Sequence, residues 1–269
     1  MLKIASLIGT AAIVLWITDF AINAAPLGDL TLGLLLQGRA PFSGLSLPEA
    51  VFTAVGRSGI LVGTALLAAI AAGVGAAALF AFSSSRIVRG VAWALGTAGA
   101  SLPSFFWAML LQLVVILVYI RTQTLVAPVS GGFGLDQHLI LPAIALGMRP
   151  AAYIFRTTAT ALDEAQHAPH VVTAWAKGLR PILVARRHVA RNAAPVVLAG
   201  IGLGAKTALS SLAIVEFVFT WNGAGYGFIL SIATGNIAFA SAIALVFAVA
   251  LALLDMLVRV ATRAFTENQ

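Results

Sequence analysis

Three stretches of this chain carry residue types at spacings that suit a specific chemistry. Gly200–Thr207 reads GIGLGAKT, and glycines ahead of Lys-Thr are what a phosphate-cradling loop uses. That loop needs Gly directly before the Lys, and a strand and a helix on its two sides. Here Ala205 stands before Lys206 and the stretch lies inside an apolar run, so nucleotide binding is not expected. Gly223, Gly225 and Gly227 in WNGAGYG have the alternation of a dinucleotide fingerprint but no strand–turn–helix around them; they read as a tight turn flanked by aromatics. His167, His170 and His188, with Asp163 and Glu164 nearby, are metal-ligand types. Pro169 breaks the helical spacing of the first two, and a solvated surface accounts for the group better, so no metal site is expected. No HExxH or Ser–His–Asp arrangement is present and cysteine is absent. The chain is therefore not expected to be an enzyme.

Two further sets of residues are more informative. The first is the basic segment Thr173–Asn192, TAWAKGLRPILVARRHVARN. Val171, Trp175, Leu179, Ile182 and Leu183 follow near-helical spacing, and Lys177, Arg180, Arg187 and Arg191 are mostly displaced from them. Gly178 and Pro181 divide the run into two short helices. These residues alone fit two readings equally: an amphipathic helix lying on anionic lipid, or a docking knob for a protein. The second set is Arg149, Lys206 and Glu216, charges inside apolar runs. Intramembrane charges are costly and mark function or pairing. The ten-residue spacing of Lys206 and Glu216 corresponds to about 15 Å along a straight helix, too far for a direct pair within one span. Cationic lining of a pathway would suit peptide carboxylates.

The elements that must position these residues follow from composition. Of 269 residues, 61% are hydrophobic and 9% charged, against roughly 25% charged in a soluble domain. Too little polar surface remains to cover a water-soluble globule of this size, so lipid is the solvent for most of the chain. A spanning helix needs about 20 apolar residues, and six runs qualify: 4–25, 59–82, 91–120, 139–162, 193–220 and 237–258. The first run is longer than a signal-peptide core and is interrupted by Asp19, so it reads as a retained span. The run 91–120 is over-long, is expected to begin as a surface helix, and carries Pro103, which should kink or interrupt it. The segment LSLPEAVFTAVGR before the second span is expected to form a short surface helix. The Gly-rich stretch 221–236 is expected to dip back into the membrane under cover of protein.

Orientation follows from Lys and Arg in the short connections. With the N-terminus inside, the inner segments hold Lys3, Arg86, Arg89, Arg156, Lys177, Arg180, Arg186, Arg187, Arg191, Arg259 and Arg263. The outer ones hold only Arg39, Arg57 and Arg121. Both termini are therefore expected in the cytoplasm. The same asymmetry explains the net charge of +7 without a nucleic-acid partner. No long internal repeat is present, and residues 1–269 read as a single transmembrane domain.

At this point the motifs resemble a family. The segment 161–192 is similar to the coupling loop of ABC importer permeases, and closest to the dipeptide, oligopeptide and nickel branch, in its B-type membrane subunit. The matching residues are Glu164, Val171, Thr173, Ala174, Ala176, Lys177, Gly178 and Leu179, followed by Arg187, His188, Arg191, Asn192 and Ala193. Upstream, SLPSFFW with Pro103 and LVAPVSGG resemble the family's third span and following loop. Downstream, EFVFTWNGAGYG resembles its Glu-x-x-Phe-x-Trp-Pro-Gly-x-Gly, with Glu216, Trp221, Gly223 and Gly225 in place. Pro169-His170 replaces the usual Asp-Tyr, Val172 and Trp175 stand where the family has Arg, and Asn222 stands for Pro.

The resemblance implies an all-α integral membrane protein of six transmembrane helices, with a cytoplasmic coupling segment between spans four and five. It implies a permease in the inner membrane that binds no cofactor itself. Its partners would be a second, similar permease, two cytoplasmic ATPases that use ATP and magnesium, and an extracytoplasmic substrate-binding protein, all amid membrane lipid. Peptide is the implied substrate class. A nickel or metal-chelate importer is the alternative, and a self-contained secondary transporter is a third reading. The coupling residues would receive force from the ATPases, Arg149, Lys206 and Glu216 would line the pathway, and Pro103, Trp221, Gly223 and Gly225 would serve gating or the outer loop.

Overall fold

The computed structural model describes residues 46–266, and the secondary-structure elements along them are helices joined by turns. The run 4–25 lies outside the described residues. Helix α1 covers Leu47–Phe82, α2 Arg86–Ser101 and α3 Ser104–Thr122. A 3-10 turn, Gln137–Leu139, leads into α4, Ile140–Gln166. Two short helices follow, α5 over Pro169–Ala176 and α6 over Pro181–Val184. A π-helical stretch, Ala185–Ala190, runs into α7, Arg191–Phe219. Helix α8 is Ala224–Thr234 and α9 is Ile237–Thr266. Among the described residues five helices are long and apolar enough to cross a membrane: Leu47–Phe82, Ser104–Thr122, Gln137–Gln166, Pro181–Phe219 and Ile237–Ala264.

Three local outcomes have clear causes. Pro103 interrupts the third run outright. Leu102, before it, is held extended at φ −85°, ψ 137°, as a pre-proline residue prefers, and the Pro103 carbonyl accepts from the Phe106 and Trp107 amides to start α3. The expected surface helix before the second span is instead the first part of α1, a continuous 36-residue helix. Its Leu47, Ala50 and Ala54 are buried against Ala224, Phe239 and Ile243, and that packing carries the helix through residues that are only moderately apolar. The Gly-rich stretch 221–236 forms α8, an 11-residue apolar helix closed by Gly235 at φ +73°.

The chain divides into two compact units. One comprises the described part of 46–63, Ala108–Ala145 and Leu209–Leu253; the other comprises Thr64–Trp107, Leu146–Ala208 and Leu254 onward. The core of the first is Leu47, Ala50, Ala54, Ala224, Phe239 and Ile243. In the second, Ala77, Ala81, Ala159, Ala161 and Ala165 let backbones approach closely, with Phe155, Leu162, Val171, Val184 and Val189 filling between them. Small residues are what helix packing in lipid uses, since apolar burial drives little association there. The last turn of α1 is closed by a side chain: Gln166 Nε2 donates to the Ala81 carbonyl at 3.1 Å, satisfying an orphan acceptor.

Candidate functional site

The basic segment lies wholly within the second unit and is a built turn rather than a loop. Helix α5 opens on Pro169 at its first position, where a missing N–H costs nothing. It closes on a Schellman arrangement: the Gly178 amide bonds to the Trp175 carbonyl at 2.9 Å and the Leu179 amide to that of Ala174 at 3.4 Å. Gly178 has φ +69°, the left-handed region this closure demands and glycine adopts freely. Leu179 then folds back onto the core that contains Ala174, the apolar contact that accompanies such a cap.

Burial resolves the apolar pattern of this segment. Val171, Ala174, Val184, Val189 and Ala193 are buried and pack on Ala77, Ala81, Ala159, Leu162 and Ala165. Val172, Trp175, Ile182 and Leu183 are exposed, at 55%, 45%, 67% and 41%. The near-helical stripe read from the sequence is therefore split: on α5 the core side is Val171 and Ala174 while Trp175 faces outward, and beyond the turn at Gly178 Ile182 and Leu183 of the second helix face outward while Val184 is buried. Arg180, Ile182, Leu183, Arg186 and Arg187 line a depression of about 640 Å³. Thr173, Ala176, Lys177, Arg191 and Asn192 are exposed and His188 half-buried; its ring lies 6.4 Å from that of His170. Glu164 is exposed at the end of α4. Beside it, Asp163 receives Arg89 Nη2 at 3.1 Å, and its carbonyl pairs with His167 Nδ1 at 2.7 Å. Among the described residues no cluster of three or more His, Cys, Asp or Glu could hold a metal ion.

The first unit contains a second constellation, around Glu216, which is fully buried. Ser58 Oγ donates to its Oε1 and accepts from the Ala224 amide at 2.7 Å, while the Tyr226 amide donates to Oε2 at 2.9 Å. A carboxylate of α7 thus closes the amino end of α8, where free amides and the helix dipole favour negative charge. Trp221, also fully buried, donates Nε1–H to the Arg57 carbonyl at 3.2 Å, and Arg57 Nη1 donates to the Asn222 carbonyl at 3.2 Å. The Arg57 guanidinium lies over the Phe133 ring, which stacks edge-on to Trp221. Gly223 and Gly225 are set by space: a Cβ at Gly223 would meet the Glu216 carboxylate and Ser58, and one at Gly225 would strike the Ala213 backbone.

The remaining singled-out residues sit apart from these groups. Lys206 Nζ forms an ion pair with Asp255 Oδ1, and Asp255 also takes Arg259 Nη2 at 3.5 Å. Arg149 is half-buried on α4, and its Nε has no hydrogen-bond partner among the described residues. The partners Ser58 and Asp255 were not singled out from the sequence. The available signal was chemical: a carboxylate or ammonium inside an apolar run needs a partner, and few polar residues were on offer.

Five membrane-length helices and a basic helical turn between two of them fit a membrane transport component, a class that similarity to known proteins establishes. The chain belongs to the family of binding-protein-dependent transport system inner membrane components, whose model matches residues 69–267. It is a multi-pass inner-membrane protein. It is 36% identical over 151 residues to a di/tripeptide transport system permease protein of Pseudomonas aeruginosa, covering 48% of this chain and 45% of the relative. It is 31% identical over 223 residues to the dipeptide transport system permease protein of Escherichia coli, covering 74% and 64%. The chain thus spans less than two thirds of the length of these relatives. A crystal structure of an amino acid ABC transporter matches 81% of this chain and 94% of its own, with a TM-score of 0.63 at 15% identity. That likeness concerns the fold alone.

Proposed function

We propose that this chain is the permease subunit of an ATP-driven, binding-protein-dependent importer of peptides. It would pair with a second, similar permease and receive two cytoplasmic ATPase subunits and an external binding protein. The observation that carries the reading is the turn at Gly178. It is anchored by buried Val171, Ala174, Val184 and Val189 and presents Trp175, Ile182 and Leu183 beside Arg180, Arg186 and Arg187. Exposed apolar side chains ringed by arginine suit a protein partner with an acidic rim better than bare water. ATP and magnesium would be bound by the ATPases, and this chain would convert their closure into a change of access, which requires the two conformations to bind partners with different affinity. Peptide is supported by the relatives' names and by intramembrane Arg149 and Lys206. The test is uptake by proteoliposomes holding this chain with a second permease, two ATPase subunits and a substrate-binding protein of such an importer. ATP-dependent uptake of a labelled dipeptide is expected; uptake of nickel alone would replace peptide by the metal reading, and uptake without the ATPases would exclude the importer class.

Two expected results accompany this reading. Reporter fusions at Gly132 should be external and fusions at Gly178 internal, following the Lys and Arg asymmetry; the reverse at either site would overturn the orientation. Arg149→Gln and Lys206→Gln should alter dipeptide affinity while the complex still assembles, if these cations meet the substrate's carboxylate. If the pair Lys206–Asp255 is instead structural, Lys206→Gln should lower the yield of folded complex, because it leaves Asp255 with only the more distant Arg259. Uptake kinetics and complex yield on the same variants separate the two.

A further inference from the structure

We infer that the π-helical turn Ala185–Ala190, together with Pro195, is the joint on which the basic turn moves relative to α7; the inference rests on the reading of this chain as an importer subunit. Residues Pro181–Phe219 form one unbroken helical rod, and Ala185–Ala190 is the part of it wound wider than the rest. The cause of the wider winding lies in which side chains are buried. Val184, Val189 and Ala193 are core residues, and Val197 packs against them. Their spacings are five, four and four residues. Four suits an α-helix. Five does not: at about 100° per residue, positions five apart point about 140° away from each other. A π turn bonds residue i to i+5 and so brings Val184 and Val189 to one side. Were the α-helix of Val189–Val197 continued backwards, Arg186 would enter the core and Val184 would face away from it. Instead Arg186 is exposed and lines the depression with Arg180, Ile182, Leu183 and Arg187.

Packing by itself does not call for the extra residue. A chain lacking Ala185 would bring Val184 to four residues before Val189, and would place the same buried and exposed side chains with α-helical bonds alone. The π turn is rare and occurs chiefly as a single-turn bulge at functional positions. Pro195 lies five residues beyond it, inside α7, where it supplies no amide to the preceding turn. Proline and the π turn are both established causes of helix bending. Here they fall together between the exposed Ile182 and Leu183 and the membrane-spanning part of α7. Slippage of the extra residue along a helix turns the segment it passes by about 100° and shifts it by about 1.5 Å. A push on the basic turn would then reach α7 as a rotation, with the helix kept intact.

The test compares the assembled importer in proteoliposomes with and without Ala185 in this chain. The shortened chain should melt no lower than the wild type and bind the ATPase subunits equally, because core and docking side chains keep their places. ATP-driven uptake of a labelled dipeptide should fall about tenfold, equivalent to about 1.4 kcal/mol, while ATP hydrolysis continues. Uptake at the wild-type rate for the same ATP use would show that the extra residue serves packing alone and would overturn the joint. Lack of ATP-driven uptake by the wild type itself would instead remove the importer reading, and the joint with it. A second measurement does not depend on the shortened chain assembling. The chain has no cysteine, so spin labels can be attached at Val172→Cys on α5 and Val196→Cys on α7, positions 55% and 49% exposed. In the full-length chain the distance between them should differ between the nucleotide-free and ATP-trapped complexes, and in the chain lacking Ala185 it should not. The same distance in both states of the full-length chain would also overturn the proposal.

Discussion

Glu216→Ala is expected to be the most damaging single substitution within the described membrane helices. The carboxylate is fully buried and accepts from Ser58 Oγ and the Tyr226 amide. Removing it leaves two donors without an acceptor, at about 1–3 kcal/mol each, and opens a cavity that the packed helices only partly close. The melting temperature of the solubilised protein should fall by many degrees and the amino end of α8 should become accessible to hydrogen exchange. Glu216→Gln keeps one acceptor oxygen and should lie between the two. Ser58→Ala removes one donor to the carboxylate and the acceptor for the Ala224 amide, and should destabilise less than Glu216→Ala. A melting temperature for Glu216→Ala equal to wild type would show that α8 is held by its apolar contacts alone.

Gly178→Val should have the largest effect on coupling while leaving membrane insertion intact. No atom stands within 4 Å of a Cβ built at Gly178, so the effect is one of backbone alone. At φ +69° an ordinary L residue is disfavoured by roughly 1–2 kcal/mol, and a β-branched one more strongly. Relief by turning out of the left-handed region would break the Schellman bonds to Trp175 and Ala174. It would also move Trp175 relative to Ile182 and Leu183. The expected order of ATPase-subunit affinity is Gly, Asn, Ala, Val, with Val at least about tenfold down, since about 1.4 kcal/mol is tenfold. Affinity can be read by pull-down of the ATPase on membranes carrying equal amounts of each variant. If Gly178→Val binds the ATPase and supports uptake as the wild type does, the turn is not the lever.

Several features were legible without the fold because their causes are local. Pro103 stops a helix wherever it stands, since it removes a donor and constrains the residue before it, and the chain is broken there. Gly178 before a second apolar run marks a helix end, and the helix ends there. Low charge and helix-length apolar runs specify lipid as solvent, and five of the six runs, in whole or in part, lie in helices of spanning length. The expectation of a separate surface helix before the second span failed for a non-local reason. Leu47, Ala50 and Ala54 are carried into α1 by Phe239 and Ile243, almost two hundred residues further on.

The amino-acid sequence by itself determined a membrane protein with a basic, broken helical segment between two spans; the permease class came from the resemblance of its motifs to a family. Periodicity, charge asymmetry and helix-breaking residues act within a few turns of chain, so they can be read in order along it. The tertiary structure alone decided which group each charge in the apolar runs meets. Glu216 answers to Ser58, 158 residues away, and Lys206 to Asp255 rather than to Glu216. It also decided which face of the basic turn is core and which is open to a partner. Such choices depend on which helix lies beside which, and spacing along one chain does not encode that; the requirement that every charge in an apolar medium find a partner does, once the neighbours are in place.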